Sequence, residues 1–192
     1  MNKSHPATPL RYHPFYCEEN IWHLCQSPHI QPELAFVVIV SNSARQCRLL
    51  FQRVAPPGMP VLWDYHVFLI AHSSKREAWK VWDLDTVLPL PCPLRSYFNA
   101  TYDHQEAFGT LSQQLRPMFR LVPATEYIQQ FSSDRAHMKD AGGNYVKPPP
   151  PWPLIRPRGV PHTLRELLDI SLAPPGATMD LSGVLERFDG LD

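Results

Sequence analysis

The chain contains no apolar run approaching the ~18 residues that a membrane-spanning helix needs, and its start, Met1-Asn2-Lys3-Ser4-His5-Pro6, opens no hydrophobic signal segment. A soluble intracellular protein is expected. Charge of either sign is not in excess, since lysine plus arginine and aspartate plus glutamate number 18 each. With a pI near 7.1, the chain lacks the basic surplus that nucleic acid or an acidic membrane calls for. Cys17, Cys25, Cys47 and Cys92 form no Cys-x-x-Cys pair and have no histidine at metal-finger spacing. This argues against a zinc site and a disulfide framework and leaves the thiols free. A glycine-rich phosphate loop and an internal repeat are also missing.

Proline, by contrast, is abundant. Its 22 residues exclude an all-helical bundle and mark many turns and extended connections. At 192 residues the chain suits one domain with tails and can bury a substantial core. Residues 1–13, polar and broken by Pro6 and Pro9, read as a flexible N-terminal arm, and 14–192 as a single domain.

Two runs rich in aromatic and β-branched residues, Trp63 to Ile70 and Val81 to Asp85, flank the polar tetrad Ser73-Ser74-Lys75-Arg76 and read as a hairpin. A loop centred between Ser74 and Lys75 sets His66 opposite Asp83. Cross-strand Cβ atoms lie roughly 4.5–5.5 Å apart, close enough for a carboxylate to orient an imidazole. The tetrad lacks the glycine or asparagine of tight primed turns, so a different register, with His66 an ordinary core histidine, stays open.

Upstream, Ile21, Trp22, Leu24 and Cys25 make a helical apolar face, with Glu18 and Glu19 in the first turn. Cys17 then stands at a helix N-terminus, where the macrodipole and free amide N–H groups favour thiolate. The adjacent acids oppose it, and a small buried hydrophobe is the commoner role of a free cysteine.

Leu34–Val40 reads as a strand covered on both faces, Arg48–Val54 and Met118–Val122 as further strands. Helices are expected over 94–102, 105–115, 124–131, 163–170 and 181–188. Residues 134–144 lack an apolar period and form a loop carrying His137, a second candidate base or an exposed histidine. Pro148 to Pro153 is polyproline II, either a ligand for a partner's groove or a strap on its own domain; Trp152 favours the strap. The class is strand-rich α/β with one helix before the sheet.

Taken together, Tyr16-Cys17-Glu18-Glu19-Asn20-Ile21-Trp22, Trp63-Asp64-Tyr65-His66-Val67, Asp83 to Pro89, and Asp134 to Asp140 followed by the proline run closely resemble the protein N-terminal glutamine amidohydrolase family. The resemblance implies an α/β (α+β) fold, a papain- or transglutaminase-like α-β-α sandwich with a mainly antiparallel central sheet. It also implies a cysteine hydrolase that deamidates an N-terminal glutamine of a protein or peptide. The family triad falls on Cys17, His66 and Asp83; Cys25, Cys47, Cys92 and His137 receive no catalytic role. The Cys17 backbone N–H is the expected first oxyanion donor.

A site selective for a chain terminus needs acceptors for the α-ammonium, for which Glu18, Asp64 and Asp85 are candidates. No cofactor or metal is expected. The implied setting is a monomer in the cytoplasm, with the nucleus also open to it, upstream of N-terminal-residue-dependent degradation. A peptidase or transglutaminase-like acyltransferase using the same triad, and a silent module that reads N-termini, are the alternatives.

Overall fold

A computed structural model describes residues 9–72, 78–102, 113–157, 161, 163–174 and 176–189. Its centre is β1 (Ala35–Ser41), where Val37, Val38, Ile39 and Val40 are each at most 1% exposed. Burying one such side chain contributes roughly 1.5–3 kcal/mol. A strand covered on both faces requires this unbroken apolar run instead of alternation.

β4 (His66–Ala71) pairs with one edge of β1 and β7 (Met118–Pro123) with the other, both antiparallel. β5 (Lys80–Trp82), β6 (Cys92–Pro93) and β8 (Thr178–Met179) complete a six-stranded sheet in the order β6-β5-β4-β1-β7-β8. Every pairing in it is antiparallel.

Helices cover both faces. Val37, Ile39, Val67 and Leu69 pack with α1 (Cys17–Cys25), α3 (Ala124–Gln130) and α4 (Leu164–Leu168). Val38, Val40, Phe68 and Ile70 pack with α2 (Leu94–Tyr102) and α5 (Leu181–Asp189). The result is a mixed α/β protein with a central antiparallel sheet between helical layers.

Several expectations need correction. Trp63 to Ile70 is not one strand: β3 (Val61–Trp63) pairs with β2 (Cys47–Leu49) in a separate two-stranded sheet. The strand expected over Arg48–Val54 ends early, where Phe51 enters the left-handed region at φ 56°. In the hairpin, Leu69 lies opposite Trp82 instead of Lys80, so His66 and Asp83 are not ladder partners. The slip is two residues, which keeps every side chain on its face. β5 stops at Trp82 because Asp83 Oδ1 accepts the Asp85 N–H at 2.9 Å, an Asx turn that ends the ladder. The hairpin tip at 73–77 and most of the helix expected over 105–115 lie outside the described residues.

The proline segment is bound to its own domain. Arg135 donates from Nε and Nη2 to Glu19 at 2.7 Å each, and to the carbonyls of Pro150 at 3.4 Å and Trp152 at 3.0 Å. Trp152 Nε1 donates to Glu19 Oε2 at 2.6 Å. Tyr12 and His13, placed by the sequence in a flexible arm, are tied down as well. Tyr12 donates to Asp85 at 2.8 Å, and Asn20 bonds both the N–H and the carbonyl of His13. Residues 9–13 lack regular structure but meet carboxylate and amide groups that the domain presents to them, and residues 1–8 of the expected arm lie outside the described residues.

Glu19 is fully buried and Arg135 is 4% exposed, so removing one partner strands a buried charge. Arg135→Met is expected to lower unfolding free energy by about 3–5 kcal/mol in urea titrations, against less than about 1 kcal/mol for an exposed pair.

Candidate active site

α1 opens abruptly. Phe15 sits at φ 69°, a left-handed conformation costing a non-glycine residue about 1–3 kcal/mol, and Tyr16 follows as the buried N-cap. This bend lets the helix begin at Cys17, 8% exposed, with its sulfur against the sheet, where the Val67 N–H donates to it. The thiol donates to Glu18 Oε2 at 3.6 Å. Burial pushes the Cys17 pKa well up, and the Glu18 and Asp85 carboxylates push the same way. Desolvation, with the Glu18 and Asp85 carboxylates, therefore favours the thiol over the thiolate at rest.

His66 opens β4, one residue before the strand N–H that holds the sulfur. Its Nε2 lies 2.9 Å from Asp83 Oδ1, and both side chains are almost wholly buried. Nδ1 is buried with no hydrogen-bond partner among the described residues. Burial lowers the imidazole pKa, but the Asp83 carboxylate more than offsets it and leaves the value above the ordinary one. For Asp83 burial raises the pKa, and His66 together with its other donors brings it below the carboxylate range.

Those donors come from three further directions. Tyr97 OH of α2 reaches Asp83 Oδ2 at 2.9 Å, Gln52 Nε2 at 3.2 Å, and the Asp85 N–H binds Oδ1. Trp63 lies parallel to the imidazole, with centroids 5.9 Å apart and planes at 15°, while its Nε1 donates to Gln52 Oε1. The imidazole is thus stacked and its carboxylate partner fully satisfied. Gln52, Trp63 and Tyr97 carry no local sequence signal for this role, because only the tertiary fold brings them to Asp83.

The three acids expected to bind an ammonium group have different settings. Glu18 is fully buried beside Cys17, and its Oε2 accepts from Tyr65 OH at 3.2 Å. His137 Nε2 stands 3.3 Å from Glu18 Oε1, yet no donor is aligned on that oxygen. His137 also lies 3.3 Å from Tyr65 OH, so the loop histidine belongs to this cluster. Asp85 is buried, with Tyr12 as its donor and a pKa raised by burial. Asp64 is exposed, and its Oδ1 accepts the Tyr65 N–H at 3.0 Å.

His66, Asp83 and Asp85 are the one group of clustered metal-donor atoms among the described residues, and His66 Nε2 and Asp83 Oδ1 already bond each other. Cys25 and Cys47 are buried, with pKa values pushed up to about 12. Neither shares in the cluster around Cys17.

A histidine with a raised folded-state pKa contributes stability that is complete below its unfolded value of about 6.5 and is lost as pH rises through the folded value. Removing the carboxylate that raises it therefore harms the protein most when His66 is protonated. Asp83→Asn is expected to lose more stability at about pH 5.5 than at about pH 8.5, read by denaturant unfolding at each pH. Equal losses at both would mean that the pair carries no charge coupling.

A family model described as N-terminal glutamine amidase matches residues 12–188. Among curated proteins, the protein N-terminal glutamine amidohydrolases of Bos taurus and Homo sapiens are each 38% identical over 194 residues. Those alignments cover 95% of this chain and 91% and 92% of theirs. The Danio rerio protein of the same name is 35% identical over 185 residues, covering 90% of this chain and 86% of its own. The match spans the cysteine helix, the histidine strand, the aspartate turn and the strap, and the chain belongs to the N-terminal glutamine amidase family.

Proposed function

We propose that this hydrolase deamidates the side chain of an N-terminal glutamine through Cys17, His66 and Asp83, on a papain- or transglutaminase-like arrangement. The observation that carries the reading is the buried imidazole, held at Nε2 by Asp83 and unpaired at Nδ1, one residue before Val67, which packs in the same core cluster as Cys17.

His66 Nδ1 takes the thiol proton as Cys17 Sγ attacks the side-chain carboxamide carbon. The Cys17 N–H, free at the helix start, donates to the developing oxyanion. The same imidazole returns the proton to the departing ammonia, which leaves a γ-glutamyl thioester. Water, deprotonated by His66, then releases an N-terminal glutamate and regenerates the thiol. Asp83 stays ionised throughout, fixing the tautomer and stabilising the imidazolium. Thiol, imidazole and water supply the whole reaction, so no cofactor enters it.

Among the three acids, Glu18 suits the substrate α-ammonium best, being buried, next to the nucleophile and without an aligned donor at Oε1, where His137 Nε2 stands 3.3 Å away. Asp85 is occupied by Tyr12, and Asp64 turns back on its own backbone. The ammonium would also offset the Glu18 charge, which after burial does most to raise the Cys17 pKa. Chain-end recognition and nucleophile activation are then one event. In a cell the product is an acidic first residue, and we place this step, by a monomer in cytoplasm and nucleus, ahead of N-terminal-residue-dependent degradation.

Peptides with glutamine first or only internal, incubated with wild type and Cys17→Ala and weighed by mass spectrometry, test the assignment. Amide-to-acid conversion is expected in the first peptide alone and is abolished in the variant. Asp83→Asn is expected to slow turnover by roughly 10²–10⁴-fold. Backbone cleavage, or reaction of the internal glutamine, would overturn the substrate assignment; binding that survives Cys17→Ala without any conversion by wild type would favour a reader of N-termini.

A further inference from the structure

We propose that Glu18 also decides the fate of the acyl-enzyme: by keeping the substrate's α-amine protonated it directs the γ-glutamyl thioester to water and suppresses closure to a pyroglutamyl peptide, a reaction this site would otherwise carry out. The proposal rests on the Cys17 thioester put forward above.

An N-terminal glutamine carries its own competitor to water. Once its side chain is a thioester, the free α-amine of the same residue can attack the γ-carbonyl carbon and close a five-membered lactam. The α-nitrogen lone pair forms the C–N bond, the C–S bond breaks, and Cys17 Sγ leaves as thiolate. The surplus proton on nitrogen passes to His66 and on to sulfur. Ammonia has already left in the first step, so neither oxidant nor co-reactant is needed. Well-oriented intramolecular reactions reach effective molarities of about 10⁵–10⁸ M, far above the concentration of water. Where the amine can reach the thioester, hydrolysis therefore wins only if the amine is made unreactive.

Protonation can, because an ammonium has no lone pair. In water an α-amine titrates near about 7.7–8.0, so at cellular pH a reactive fraction is always present. A carboxylate within about 4–6 Å favours the charged form. Glu18 is one residue from the nucleophile, is fully buried, and has an oxygen with no aligned donor. The titratable groups around it are Cys17 on α1, Tyr16 at its N-cap, Tyr65 before β4, His66 on β4, His137 in the 3₁₀ turn Ala136–Met138, and Tyr127 on α3, whose hydroxyl donates to the Glu18 carbonyl. None of these is a second carboxylate, and Asp85, the other carboxylate acting on Cys17, already accepts from Tyr12. Neutralising Glu18 thus leaves His137 as the basic group there and exposes the amine to deprotonation.

The test is the product spectrum of Glu18→Gln with a glutamine-first peptide from about pH 6 to about pH 9, beside wild type, Glu18→Asp and Cys17→Ala. Circular dichroism verifies that each is folded, and Cys17→Ala sets the background of spontaneous cyclisation. Above that background, wild type and Glu18→Asp are expected to give only the glutamate peptide. Glu18→Gln is expected to release ammonia and add a product one water lighter. Its ratio to the glutamate peptide should rise with pH and exceed the wild-type ratio by at least roughly tenfold.

Ammonia release by Glu18→Gln with glutamate as sole product would overturn the proposal. So would a folded Glu18→Gln that releases no ammonia while Glu18→Asp remains active, since Glu18 would then serve acylation itself. Ammonia release by Cys17→Ala faster than from the peptide alone would instead overturn the thioester reading beneath it.

Discussion

The buried pair between Glu19 and Arg135 is the contact on which the site's surroundings depend. It joins the first turn of α1 to the loop after α3 and, through the carbonyls of Pro150 and Trp152, to the proline strap. Three segments distant in sequence are fixed within two residues of Cys17. Desolvating two charges is costly, and here the cost is offset by bidentate geometry and by the Trp152 indole as an extra donor. The consequence for chemistry is indirect but direct for geometry. The same loop carries His137 to Glu18, and the same helix carries Cys17 to the sheet.

Two buried carboxylates beside the thiol have opposite degrees of satisfaction. Asp83 accepts from His66, Tyr97, Gln52 and the Asp85 N–H, so nothing remains for a ligand to supply. Glu18 keeps one oxygen without an aligned donor. A carboxylate saturated by the fold is suited to orienting, and one left short is suited to binding. That contrast supports the different roles proposed for the two acids.

The central strand, the cysteine helix and the strand and helix spanning 118–130 were legible in sequence because periodicity and caps are local. β1 had to be an unbroken apolar run, and α1 announced itself by its apolar face and acidic first turn. The histidine-aspartate pair was legible for a partly different reason. The expected register was two residues out, yet the parity of the pleat kept Asp83 on the His66 side and an Asx turn delivered it. What could not be read was the break at Asp64-Tyr65, the short strands β6 and β8, and the Gln52 and Tyr97 supports. Each depends on partners elsewhere in the chain.

Cys17, Glu18, Glu19 and Asn20 are four successive buried residues, each turned to a different neighbour: the Val67 amide, Tyr65, Arg135 and His13. A helical turn on a protein surface ordinarily has a solvent side where substitutions are cheap. This turn has none, so its route to new specificity by gradual change is closed. Divergence of substrate preference in this fold would have to come from the segments that look onto the helix, chiefly the His137 loop, while the helix itself stays as it is.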